Sequence, residues 1–236
     1  MAALGYGEPN DIKWGCGGSL ISDNYILTAA HCIETQLGKL KYIRVGFVNL
    51  ARNAVGPWPS DFTAANAILH PDFKPPSVYN DIALVELDRP VRTSGSYVNR
   101  ACLQTERNIT EPNWSALGWG ETSHHGPIAE HLQVMELREA NHTICKKSYL
   151  NAGERKLDHG VDDDSQLCAG KENVDTCLGD SGGPLQTKHT KHEKAYTIIG
   201  ITSFGKPCLL TNKPGVYTRV SHYVEWIENI VWPEKE

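Results

Sequence analysis

The sequence predicts an all-β protein packed as a sandwich or a barrel, and three observations predict it. Short β-rich runs recur, as at residues 41–48, 81–87, 197–204 and 215–220. Twenty-one glycines and thirteen prolines punctuate them at strand-and-turn spacing, the pattern of chains whose strands pair through tight turns. Strand–helix alternation is missing, which argues against a parallel α/β sheet. A length of 236 residues suits one such unit or two small ones. With 40% hydrophobic and 22% charged residues the chain can build a core, so disorder and coiled coils are excluded.

Two halves share this texture without an internal repeat. Residues 91–113 read as a linker between them, polar and without a period, with Pro90 before it and Pro112 near its end. The tail differs: Tyr223, Trp226, Ile227, Ile230 and Val231 recur at helical spacing, Ser221 is placed to cap the helix and Pro233 to stop it. That pattern predicts a helix packed on the body.

The net charge of −5 excludes a nucleic-acid binder, because phosphate recognition needs a basic surface. No apolar run approaches the length of a membrane span. The opening Met1-Ala-Ala-Leu-Gly-Tyr-Gly has neither the charged nor the apolar region of a signal peptide. Seven cysteines, at positions 16, 32, 102, 145, 168, 177 and 208, include no Cys-x-x-Cys pair, so zinc ribbons and thioredoxin-type sites are not indicated. Their wide spacing suits disulfides in an oxidising compartment, and the odd number leaves one free or bonded to another chain. Sequons at Asn108, Asn113 and Asn141 agree with an extracellular protein bearing glycans.

Three segments could bear chemistry. His31 precedes Cys32 in Leu27-Thr-Ala-Ala-His31-Cys32, Asp81 opens an apolar run, and Ser181 lies within Gly179-Asp180-Ser181-Gly182-Gly183-Pro184. Singly each has a bland reading: a core histidine, a turn aspartate, a serine in a tight glycine turn. Together they supply what acyl transfer needs. A serine hydroxyl is a weak nucleophile without an adjacent base; histidine is that base near neutral pH; a carboxylate fixes the imidazole tautomer. Glycines beside the serine let substrate approach and let main-chain N–H groups converge on an oxyanion. The segment 179–183 also fits the loose Gly-x-Ser-x-Gly pattern of α/β-hydrolases. Those run Ser, Asp, His along the chain, whereas here the order is His31, Asp81, Ser181.

In this order, with Gly15-Cys16-Gly17-Gly18-Ser19-Leu20, Gly118-Trp119-Gly120 and Pro214-Gly215-Val216-Tyr217-Thr218-Arg219, the motifs resemble the chymotrypsin/trypsin family of serine proteases across essentially the whole chain. The resemblance implies two six-stranded antiparallel β-barrels with a C-terminal α-helix, the first barrel in residues 1–105 and the second in 106–236, with the site between them. It implies Ser181 as nucleophile, His31 as base and then acid, Asp81 as orienter of His31, and the N–H groups of Gly179 and Ser181 as the oxyanion hole. Ser203 matches a serine that bonds the aspartate. Asp175 matches the carboxylate at the base of an arginine- or lysine-binding pocket, with Gly205 and Gly215 as its open walls; a buried unpaired carboxylate would reject apolar side chains. Expected disulfides are Cys16–Cys32, Cys145–Cys168 and Cys177–Cys208, leaving Cys102 to bond a light chain. Trp114 and Thr187 stand where another family disulfide is often found, so both of its partners are replaced together.

Met1-Ala-Ala-Leu-Gly, Asp11-Ile-Lys-Trp-Gly-Cys-Gly-Gly and Gly200-Ile-Thr-Ser-Phe-Gly-Lys are similar to the insect clip-domain proteases of the snake type. That likeness implies a secreted zymogen that cleaves another zymogen after a basic residue in an extracellular cascade and is held in check by a serpin-type inhibitor. The alternatives are a digestive or venom protease and a catalytically silent binding homologue; the latter is disfavoured because all three triad residues are present. Family members begin with a freed Ile or Val whose amino group pairs with the aspartate matching Asp180, so the chain as written is expected to be zymogen-like and poorly active. No cofactor or metal is expected: Phe47 stands where calcium-binding members carry glutamate, and Pro214 where sodium-regulated members usually carry tyrosine. Asp162-Asp163-Asp164 lacks the spacing of an EF-hand loop. His124-His125 gives no metal geometry, and His189 and His192 read as part of a solvated turn.

Overall fold

A computed structural model describes residues 1–50, 61–93, 98–121, 126–150, 157–170, 180–192, 195–205 and 213–234. The first half contributes β1 (Ala2–Glu8), β2 (Asp11–Leu20), β3 (Tyr25–Thr28), β4 (Glu34–Thr35), β5 (Gly38–Lys39), β6 (Tyr42–Val45), β7 (Asp61–Leu69) and β8 (Ala83–Leu87). Six of these close an antiparallel barrel in the order β1-β2-β3-β8-β7-β6, while β4 and β5 form a separate hairpin. Closure leaves the ring without an unpaired edge. Leu4, Tyr6, Ile26, Leu27, Ile43 and Leu84 are wholly buried inside it.

The second half contributes β9 (Cys102–Leu103), β10 (Trp114–Gly118), β11 (Gln133–Glu139), α1 (His142–Tyr149), β12 (Gln166–Gly170), β13 (Pro184–Lys188), β14 (Tyr196–Phe204), β15 (Gly215–Arg219) and α2 (Val224–Val231). Its sheet runs β13-β10-β11-β12-β15-β14, and β13 pairs again with β14, so six antiparallel strands close a second barrel. Its interior holds Trp114, Leu137, Leu167, Leu185, Ile199 and Tyr217. The two expected barrels are present. β9, from the expected linker, adds a short parallel strand beside β14.

Core packing does not stop at the barrel boundary. Ile198 and Ile201 of β14, with Val220, Tyr223 and Ile227 of the C-terminal segment, belong to the same apolar cluster as Leu4 and Leu84. Ile227 is fully buried, a contribution of roughly 1.5–3 kcal/mol that pins α2 to the body.

Two local expectations are corrected. Ser221 does not cap the terminal helix: it lies in a 3-10 turn at Val220–His222, and the residue before α2 is Tyr223, which makes no side-chain capping bond. The tight turn uses the serine first, and the tyrosine is drawn inward by burial. α1 was not expected. Only Cys145 and Tyr149 of its eight residues are buried, so its apolar period is too thin to see. Its signal was Asn141, whose side-chain oxygen accepts from the N–H groups of Thr143 and Ile144 at 3.0 and 3.2 Å. The residue that reads as a glycan acceptor is also a helix cap.

Candidate active site

His31 sits in the 3-10 turn Ala30–Cys32 that follows β3. Asp81 lies two residues before β8, Ser181 three before β13, and Ser203 within β14. Four separate elements from both barrels therefore supply the candidate groups.

The Asp81 carboxylate is fully buried and has a donor on each oxygen. Oδ1 accepts the backbone N–H of His31 at 3.0 Å. Oδ2 faces His31 Nδ1 at 2.8 Å and accepts the Ser203 hydroxyl at 2.5 Å. A carboxylate only accepts, so Nδ1 must bear the proton and Nε2 is left as the basic nitrogen. The Asp81 carbonyl accepts the Thr218 hydroxyl at 2.8 Å. A buried charge is tolerated when its lone pairs are matched in this way, and removal of one partner is costly. About a third of the His31 side chain remains exposed, so the base faces solvent while its orienting acid does not.

Ser181 reaches this region through its own turn. Its carbonyl accepts the Gly17 N–H at 2.7 Å. Gly182 has φ +75°, and a Cβ there would lie 2.3 Å from Thr28 Oγ1, 2.6 Å from the Gly17 carbonyl oxygen and 3.1 Å from Cys32 Sγ. Glycine is required twice over, by conformation and by space. The serine turn is thus pressed against the Cys16–Cys32 disulfide, whose second half-cystine is next to His31. The sulfurs of Cys16 and Cys32 gather with His31, but both are consumed by the disulfide, and metals bind the thiolate.

Asp180 is also buried, at 3% exposure. Its Oδ1 accepts the Gly120 N–H at 2.9 Å. A Cβ on Gly118 would fall within 1.8 Å of the carboxylate, and one on Gly120 within 2.7 Å. The Gly118-Trp119-Gly120 motif is therefore a slot cut for this side chain.

The remaining expectations divide. Cys16–Cys32 and Cys145–Cys168 are formed, and Cys102 is the free cysteine among the described residues. Asn108, Asn113 and Asn141 are exposed. Gly205 is exposed with open space around it, and a Cβ on Gly215 would meet the Tyr217 ring at 3.2 Å. Trp114 and Thr187 are both buried. His189 and His192 stand in an exposed turn with rings 5.0 Å apart. Asp175, Gly179, Cys177–Cys208 and His124-His125 lie outside the described residues. Thr218 was missed. Its hydroxyl reaches the Asp81 carbonyl from 137 positions away, a contact that no local pattern signals.

The profile of the Trypsin family matches residues 1–227. The chain is 38% identical over 241 residues to Serine protease snk of Drosophila melanogaster, covering 99% of this chain and 54% of that protein. It is 37% identical to Venom serine protease Bi-VSP of Bombus ignitus, over 95% of this chain and 62% of that one. It is 36% identical to the Spaetzle-processing enzyme of Drosophila melanogaster, over 93% and 59%. The chain thus spans between half and two thirds of these relatives' length. With the two barrels, the buried carboxylate on His31 and the glycine-lined serine turn, this match makes the chain a member of the trypsin family of serine proteases.

Proposed function

We propose that this chain is the protease domain of a secreted endopeptidase that cleaves protein substrates after arginine or lysine. The observation that supports it most is the double grip of Asp81 on His31, through Nδ1 and the backbone N–H, with Ser203 closing the same carboxylate. Ser181 Oγ attacks the scissile carbonyl carbon while His31 Nε2 takes its proton. The tetrahedral intermediate collapses to an acyl-enzyme as His31 protonates the leaving amine. Water, deprotonated by the same nitrogen, then releases the acid. Asp81 stays ionised and stabilises the imidazolium. The oxyanion is assigned to the N–H groups of Gly179 and Ser181, and the basic side chain to Asp175 between Gly205 and Gly215.

The relatives support a cascade role, one of them being named for processing Spaetzle. On this reading the substrate is a zymogen, Cys102 tethers a light chain, and a serpin-type inhibitor ends the activity. Cys177–Cys208 is the third disulfide, and Asn108, Asn113 and Asn141 are glycan acceptors. Asp180 is the acceptor for a freed amino terminus. Alanine at either glycine of its slot would collide with the carboxylate.

The test is hydrolysis of two peptides that differ only in arginine or phenylalanine at the cleaved position. The enzymes are this chain, the chain carrying a free Ile-Val-Gly-Gly start, and a Ser181→Ala control. Arginine turnover by the extended form, lost in the control, is expected. No turnover by a folded extended form would favour the silent homologue.

A further inference from the structure

We infer that Tyr223 and Asn80 are positioning residues for the triad, holding Asp81 in place from behind by a tether that runs from the terminal helix. The inference rests on the reading of Asp81 as the orienter of His31.

Asp81 sits at the centre of a three-residue turn in which the Ile82 N–H donates to the Asn80 carbonyl at 2.8 Å. With Asp81 outside positive φ this is an inverse γ-turn, a form common at strand ends, and it leads directly into β8. The turn is entered through Asn80 at φ +53°, the one non-glycine residue at positive φ among the described residues. Asparagine tolerates that conformation better than most residues, but at some strain. What offsets the strain is visible at the side chain. Asn80 Nδ2 donates to the Asp72 carbonyl at 3.4 Å, and Oδ1 accepts the Tyr223 hydroxyl at 2.9 Å. The carbonyl can only accept, so the amide orientation is fixed and the phenol is the donor.

Tyr223 is itself immobile. It is 2% exposed. Its ring meets His70 and His222 edge-on, with centroids 5.2 and 4.8 Å apart. Burial pushes its hydroxyl well above the ordinary tyrosine range, so it remains a neutral donor. It leads directly into α2, anchored by the buried Ile227. The path therefore runs from core packing of the terminal helix, through one phenol and one amide, to the backbone of the buried acid.

The charged and titratable groups around the tether are Asp81 itself, Asp72 and His70 between β7 and β8, Asp162 before β12, and His222 beside Tyr223. None of them changes in the variants that test the inference. Tyr223→Phe keeps the ring contacts and removes the hydroxyl, with its bonds to both Asn80 and Ser165. Asn80→Gly accepts positive φ but has no side chain to tether. In the extended, active form, each variant is expected to lower kcat/KM roughly 3- to 10-fold, the worth of one neutral hydrogen bond used for orientation. KM should be nearly unchanged. The acidic limb of the pH profile should move to lower pH, because a loosened carboxylate stabilises the imidazolium less. Ser181→Ala protein with 15N-labelled histidine provides a readout without turnover: the low-field Nδ1–H resonance of His31 should broaden, and its titration should fall by a few tenths of a unit, in both variants.

Unchanged kinetics and an unchanged His31 titration in Tyr223→Phe would overturn the inference. So would an Asn80→Gly variant indistinguishable from the parent, since the asparagine would then matter only for its backbone. Should the parent show no Ser181-dependent hydrolysis, the protease reading falls, and the His31 resonance alone decides whether the tether holds the carboxylate.

Discussion

Two aspartates in this molecule are held by opposite means. Asp162 turns back on its own neighbours: its carboxylate accepts the N–H of Asp164 at 3.2 Å, the N–H of Ser165 at 3.3 Å and the Ser165 hydroxyl at 2.5 Å. All three donors come from within three residues. Asp81 takes its donors from His31, Ser203 and Thr218, which are 50, 122 and 137 positions away. The first arrangement survives in water because aspartate favours such turns wherever it occurs. The second exists only after both barrels have closed. A local cap can form early and cheaply; a buried carboxylate placed at a seam depends on every element that meets there.

The largest effect is expected from breaking the long-range member. Asp81→Asn would place an amide where His31 Nδ1–H needs an acceptor and favour the wrong tautomer. kcat for a basic peptide should fall by about 10⁴, the response that defines this position in the family. Folding should be largely kept, as near-native far-UV circular dichroism would show.

Gly182→Ala attacks the seam itself. The new methyl collides with Thr28 and the Gly17 carbonyl, at a backbone angle that alanine avoids. A loss of about 2–3 kcal/mol in denaturant unfolding is expected, with activity falling as the serine turn lifts from the Cys16–Cys32 disulfide.

Ser203→Ala removes one donor from Asp81 Oδ2 and leaves His31 in place. An unmatched lone pair on a buried carboxylate should cost about 1–3 kcal/mol of stability, read as a lower midpoint in urea. Retained stability would mean that the other donors suffice.

The smallest effect belongs to the local member. Burial alone would raise the Asp162 carboxyl, but the Ser165 hydroxyl and the N–H groups of Asp164 and Ser165 outweigh it and hold the value below the usual carboxylate range. A depressed acid contributes stability above its unfolded value, and that contribution disappears as pH falls through the folded one. Asp162→Asn should therefore erase a slight dependence of stability on pH below about 4, and leave kcat unchanged at neutral pH. A change in kcat would show that the local turn also serves the seam.

The same division explains what could be read from the chain. The strands were legible because half-buried sheets impose a period of two and turns demand glycine or proline. His31, Asp81 and Ser181 were legible because each stands in a short motif with a chemical reason. Gly118-Trp119-Gly120 was legible as a motif only; its use as a slot for Asp180 appears once β10 lies beside the serine turn. α1 escaped because two buried residues give no helical stripe. Ser221 was misread as a cap because the preceding 3-10 turn and the inward pull on Tyr223 are tertiary events.

By itself, then, the sequence determined the strand pattern, the order of the candidate triad residues and the glycines that the turns require. Those depend on backbone freedom and on chemistry carried within a few neighbours. Tertiary structure alone decided which donors surround Asp81, where the Asp180 carboxylate lies and how Tyr223 reaches Asn80. The physical reason is burial. A charge or phenol withdrawn from water must be matched by whatever groups the closing barrels deliver, and those groups are set by packing across the whole chain.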